Sequence, residues 1–125
     1  MNKNLTIASV LGMFTIVLGA FGAHGLKETF TLDQLRSFET AVTYQMYHVL
    51  VLLFVNSYAG FSVRKRNQIS TLFFGGILLF SGSIYLIQLT SVSAKSIWFV
   101  TPLGGLLLLF GWLLMAFAFM KSPKQ

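Results

Sequence analysis

Four long stretches of this chain carry no charged side chain: Leu5–Ala23, Ala41–Phe61, Ile69–Thr90 and Ile97–Met120. Each is 19–24 residues long, close to the ~20 that an α-helix needs to cross a hydrocarbon core about 30 Å thick. A backbone in lipid must satisfy its own hydrogen bonds, so only helices and closed barrels span. Continuous apolar runs without strict alternation select helices. Composition agrees. Apolar residues make up 55% before the 11 glycines are counted, and charged residues only 10%, against about 25% in soluble domains. A soluble domain of 125 residues has no interior large enough for that apolar surface. A soluble enzyme, a disordered tail and a nucleic-acid-binding domain are excluded. The sequence predicts an all-α integral membrane protein, with four transmembrane helices in an antiparallel bundle and one membrane domain over residues 1–125.

The expected helices run over about 5–23, 32–61, 69–90 and 97–120. The second starts before its uncharged stretch, because Thr31-Leu32-Asp33-Gln34 has the pattern of a capping box. Its first turns then lie at or outside the membrane surface. In the fourth, Thr101 is the expected N-cap and Pro102 the first helical residue, where a missing N–H costs nothing. Residues 1–22 have features of a leader peptide, but the apolar core is longer than leaders use, so a retained helix is expected.

The net charge of +6 forms no continuous basic face, which argues against nucleic acid. It reads instead as a topology signal. With both termini in the cytoplasm, Lys3, Arg64, Lys65, Arg66, Lys121 and Lys124 lie inside and Lys27, Arg36 and Lys95 outside. Six against three obeys the positive-inside rule. Arg64, Lys65 and Arg66 are the strongest element and are expected to meet anionic lipid headgroups. With no cysteine, disulfides and thiolate metal sites are excluded, and no metal site is expected.

Small residues recur at helical spacing: Ala8, Gly12, Thr15, Gly19 and Ala23; Gly75 and Gly82; Gly76 and Ser83; Gly104 and Gly111. Such stripes let helices approach closely in lipid. Packing within one bundle is the simpler reading, and a homo-oligomer through the Gly-rich faces is the other.

The polar residues inside these stretches are the most informative. Tyr44, Gln45, His48 and Asn56 fall within an arc of about 120° on the second helix. Ser81, Tyr85 and Gln88 share a face of the third. His24 ends the first helix and Thr101 begins the fourth, so the antiparallel order brings polar groups from all four to the outer half. The inner half offers only scattered candidates such as Thr6, Ser9 and Asn56. Polar groups at membrane depth face the bundle interior. Four readings follow. They form hydrogen bonds between helices, with His48 and Gln88 as one pair. They bind a lipid headgroup, quinone or similar amphiphile. His24 and His48 ligate haem, although His48 lies about 8–10 Å deeper by helical rise. Or His24 and Glu39 act as an acid–base pair. Motifs of hydrolases, zinc proteases and P-loops are absent. The first reading leads, with no cofactor.

Several motifs together are specific: Gly19-Ala20-Phe21-Gly22-Ala23-His24-Gly25-Leu26, the run Phe38–His48, Phe80-Ser81-Gly82-Ser83-Ile84-Tyr85, and Thr101-Pro102-Leu103-Gly104-Gly105 with Gly111-Trp112. In these the chain resembles the small bacterial inner-membrane proteins of the YwdK/YgdD type, a family of unknown function. The resemblance implies four membrane helices in the bacterial plasma membrane. It brings no activity or substrate. The expected function is a non-catalytic one, organising the membrane or stabilising a partner. The alternative is a small-molecule handler: a lipid, quinone or haem binder, or a subunit of an oligomeric transporter or channel. No repeat of two halves or intramembrane charge marks a transport path.

Overall fold

The computed structural model describes residues 2–121. They form four helices: α1 over Lys3–His24, α2 over Leu32–Ser57, α3 over Val63–Leu89 and α4 over Val100–Met120. Among the described residues there is no strand. All four are long and apolar enough to cross a membrane.

The helix starts follow from local chemistry. Thr31 and Gln34 form the reciprocal box: Gln34 N–H donates to Thr31 Oγ1 at 3.2 Å and Thr31 N–H to Gln34 Oε1 at 2.8 Å. Ser62 caps α3 by accepting from Lys65 N–H at 3.2 Å. This places Arg64, Lys65 and Arg66 in the first turn of α3, whereas the uncharged stretch alone puts the start near 69. Charge stops a membrane span but not a helix that protrudes from it. α2 is correspondingly shorter than 32–61, because Tyr58 turns extended after Ser57. At α4 the cap position falls on Phe99, without a side-chain bond. Thr101 is therefore not the cap, and Pro102 sits third in the helix, still within the turn whose N–H groups lack partners. Trp98, 73% exposed, stands in the connection before α4.

Consecutive helices pack antiparallel. Gly12 faces Val49, Gly19 faces Val42 and Gly22 faces Phe38 across α1 and α2. Across α3 and α4, Gly104 faces Phe80, Gly76 faces Leu108 and Gly111 faces Phe73. α2 and α3 form the middle, with α1 flanking α2 and α4 flanking α3. The small residues are used in these contacts. A Cβ at Gly104 would collide with the Phe80 backbone, and one at Gly111 would lie 2.7 Å from the Phe73 ring. In lipid, where burial from water gives little drive, such backbone approach is what holds helices together. Leu52, Val55, Ile69, Phe73, Ile77 and Leu108 fill the centre. α1 buries only Ala8, Thr15 and Gly22, one residue every two turns, and turns its other large apolar side chains outward.

Candidate functional site

The polar side chains inside the bundle are arranged as ties between neighbouring helices. Gln45, 3% exposed, spans three of them. Its Nε2–H donates to Leu11 O of α1 at 3.1 Å, and its Oε1 accepts from Tyr85 O–H of α3 at 2.6 Å. An amide does this well because it carries donor and acceptor on one rigid plane. Ser81, buried on α3, donates to Ala41 O of α2 at 2.7 Å. Ser83 Oγ lies 2.9 Å from Phe80 O and 2.5 Å from Thr101 Oγ1. A carbonyl only accepts, so Ser83 gives its one proton to Phe80 and Thr101 donates to Ser83.

His48, 5% exposed, has both ring nitrogens engaged. Nδ1 lies 2.6 Å from Tyr44 O. The carbonyl accepts, so Nδ1 carries the proton. Nε2 then accepts from Trp112 Nε1–H at 3.0 Å, joining α2 to α4. The ring also packs against Phe73, 5.4 Å between centroids. An iron ligand at Nε2 would have to displace the Trp112 bond.

The eight expected residues therefore do not gather into one cluster. Gln45 and Tyr85 meet directly. Ser81, Thr101 and His48 each make a separate tie. Tyr44 joins through its backbone carbonyl while its ring stacks on Phe80, centroids 5.1 Å apart. Gln88 is half-buried and His24 exposed, and neither is hydrogen-bonded through its side chain among the described residues. His48 is paired with Trp112 instead of Gln88, because the register sets Gln45 against Tyr85 and leaves Gln88 nearly a turn beyond it. The two histidines are also further apart in depth than 8–10 Å. Val49 faces Gly12, and the rise from there to His24 is roughly 16–18 Å. His24 and Glu39 form no ion pair among the described residues, and no three His, Asp or Glu side chains gather in a group fit for a metal ion.

The other end of the bundle holds what sequence reasoning missed. Asn56 of α2 donates to Leu52 O at 2.9 Å and to Ser70 Oγ of α3 at 2.8 Å. Its Oδ1 accepts from Asn4 of α1 at 2.9 Å, and Asn4 also donates to Asn67 Oδ1 at 3.0 Å. Arg66 Nη2–H donates to Tyr58 O at 2.9 Å and Nη1–H to Asn56 O at 3.5 Å, meeting carbonyls freed where α2 ends. Thr6 and Ser9 only bond their own helix. The signal for this network was the antiparallel register: once Gly12 faces Val49, Asn4 falls opposite Asn56.

Residues 18–105 match the model of a family described as "Protein of unknown function (DUF423)". The chain belongs to that family. The matched segment holds every tie described for the half with Gln45 and His48 except Leu11 and Trp112. Three relatives extend the likeness to nearly the whole chain. A UPF0382 membrane protein of Staphylococcus aureus (strain bovine RF122 / ET3-1) is 38% identical over 117 residues, 94% of each chain. One of Haemophilus influenzae is 38% identical over 127 residues, 98% of each. UPF0382 membrane protein YwdK of Bacillus subtilis is 34% identical over 120 residues, 94% of this chain and 95% of the relative. No solved structure matches the chain. A DUF423 chain with four membrane-length helices is a multi-pass membrane protein embedded in the bilayer, and the resemblance in its motifs is borne out.

Proposed function

We propose that this chain has a non-catalytic role, organising the surrounding bilayer or steadying a partner within it, with no cofactor. One observation supports this: Gln45, His48, Ser81, Ser83, Tyr85 and Thr101 spend their hydrogen-bonding groups on one another and on the backbone of neighbouring helices. A reaction centre needs polar groups left free to meet a substrate. Both termini are placed in the cytoplasm in this reading, on the strength of the basic residues; Lys124 of that set lies outside the described residues. A reporter active only in the cytoplasm, fused after Gln125, is expected to be active. Silence with good expression overturns the orientation.

The role itself is tested on extracted protein. Single changes such as His48→Leu are expected to lower stability without releasing any bound molecule. The second reading, a binder of quinone or another amphiphile or one subunit of an oligomeric pore, is favoured by two open apolar grooves. One, of about 530 Å³, lies between α1 and α3 with Gln45 and Tyr85 at its wall. The other, of about 700 Å³, lies between α2 and α4 beside Tyr44, His48 and Trp112. A stoichiometric quinone, or a homo-oligomer that persists after gentle extraction, favours this second reading.

A further inference from the structure

We infer that the cleft between the first turn of α1 and the first turns of α3 binds the phosphate of an anionic phospholipid headgroup. The cleft has a volume of about 440 Å³, and Lys3, Asn4, Asn56, Arg66, Asn67 and Thr71 line it. Two are cations, four are hydrogen-bonding neutral groups, and none is acidic. The three acidic residues of the chain are Glu28, Asp33 and Glu39, in the connection after α1 and the first turns of α2, at the opposite end of the bundle. Among the described residues the positive charge here has no counter-charge from the protein.

Arg66 makes this charge consequential. It is half-buried, and two of its nitrogens are spent on carbonyls at the end of α2. Its Nε is closed off from solvent with no hydrogen-bond partner. A guanidinium that has given up water and received only carbonyl dipoles is incompletely compensated. Phosphate supplies the missing charge, and its oxygens accept from the second N–H of each Nη, since a carbonyl takes only one. Lys3 approaches from the other wall as a point charge. The first turns of α1 and α3 contain no acidic side chain to occupy this end, so their dipoles add to the attraction for an anion.

The height of the cleft selects the source. Asn4 directly precedes the uncharged stretch of the first helix, and Asn67 lies two residues before that of the third. The cleft thus opens where apolar chain gives way to polar chain, the level of lipid phosphates. The inference does not rest on the role assigned to the outer ties, nor on which leaflet this end faces.

The test uses the full chain in uncharged detergent, followed by thermal unfolding during titration with phosphatidylglycerol, phosphatidylcholine or inorganic phosphate. Phosphatidylglycerol is expected to raise the midpoint, with an apparent affinity about tenfold tighter than phosphatidylcholine. Lys3→Gln and Arg66→Lys are expected to weaken it about tenfold, the loss of one charge-assisted contact. Arg64→Gln removes the same charge outside the cleft and is expected to leave it unchanged. If Arg66→Lys does not fold, Lys3→Gln against Arg64→Gln decides alone. Equal weakening by Arg64→Gln means diffuse surface attraction and overturns the site, as does the absence of any shift with phosphatidylglycerol. A full shift with inorganic phosphate alone assigns the cleft to a free anion and overturns the lipid. Equal response to phosphatidylcholine overturns the preference for an anionic headgroup.

Discussion

The two ends of this bundle solve the same problem differently. In the half with Gln45, His48 and Ser81, polar groups are tied in small separate contacts, each joining two or three helices. Around Asn56 they form one linked set through Asn4, Asn67 and Ser70, with Arg66 on the Asn56 carbonyl. The separate ties are more fully buried: Gln45, His48, Ser81 and Ser83 are closed off, whereas Asn4 and Asn56 are half-buried and Asn67 is exposed. There, a wide network would need many groups to be satisfied at once, and any failure leaves a donor stranded. The linked set borders the polar cleft, where water and headgroups complete unfilled valences. The difference teaches that burial limits the size of a polar network more than the supply of polar residues does.

The largest effect is expected where both arrangements depend on backbone approach. Gly104→Leu forces apart α3 and α4, whose backbones touch there. It should cost about 3 kcal/mol or abolish folding, as overpacking at rigid contacts does. Reversible unfolding in mixed micelles measures it. Wild-type stability would remove backbone contact as the base of the comparison.

Next comes Asn56→Leu, which takes a partner from both Asn4 and Ser70 and leaves Asn4 only Asn67. A loss of about 2 kcal/mol is expected, from several membrane hydrogen bonds at about 0.6 kcal/mol each. Gln45→Leu removes two ties instead and should cost about 1 kcal/mol on the same scale. The same unfolding assay ranks them. A larger loss at Gln45 than at Asn56 would reverse the contrast between linked and separate contacts.

Smaller again is the pair His48 and Trp112. His48→Leu and Trp112→Phe, alone and together, should give a coupling of about 0.6 kcal/mol. His48→Leu with Gln88→Leu should be additive, since the structure joins His48 to Trp112. Additivity in the first cycle and coupling in the second would mean that the helices are in a different register.

The smallest expected change is at Tyr44→Phe, within about 0.5 kcal/mol, because the ring stacks on Phe80 while its carbonyl serves His48. A loss above 1 kcal/mol would give the hydroxyl a part in the ties.

Much of the architecture was legible in the chain because lipid imposes one rule on every span. Four uncharged stretches gave four helices, and Thr31 with Gln34 gave the start of α2. The helix ends near Arg64 were not legible from hydropathy, since a helix continues past the membrane while its side chains change character. For the polar residues, spacing on one helix indicated which shared a face but not which met across helices. Tyr85 and Gln88 lie about 60° apart on the wheel, on one face, yet only Tyr85 reaches Gln45. That choice is set by the axial register of α2 against α3, which also seats Ser81 on the Ala41 carbonyl and Tyr44 on Phe80. Trp112 belongs to a motif but not to the expected polar candidates, for another reason. Indole is counted as apolar by hydropathy, although its N–H is a donor that needs a partner at depth.

Native mass spectrometry of gently extracted protein, wild type beside His48→Leu, tests the central claim most directly. If the deep polar groups are ties between helices, neither sample carries a stoichiometric molecule that depends on His48, and any retained phospholipid is common to both. A small molecule bound one to one in the wild type and missing from His48→Leu would contradict the account.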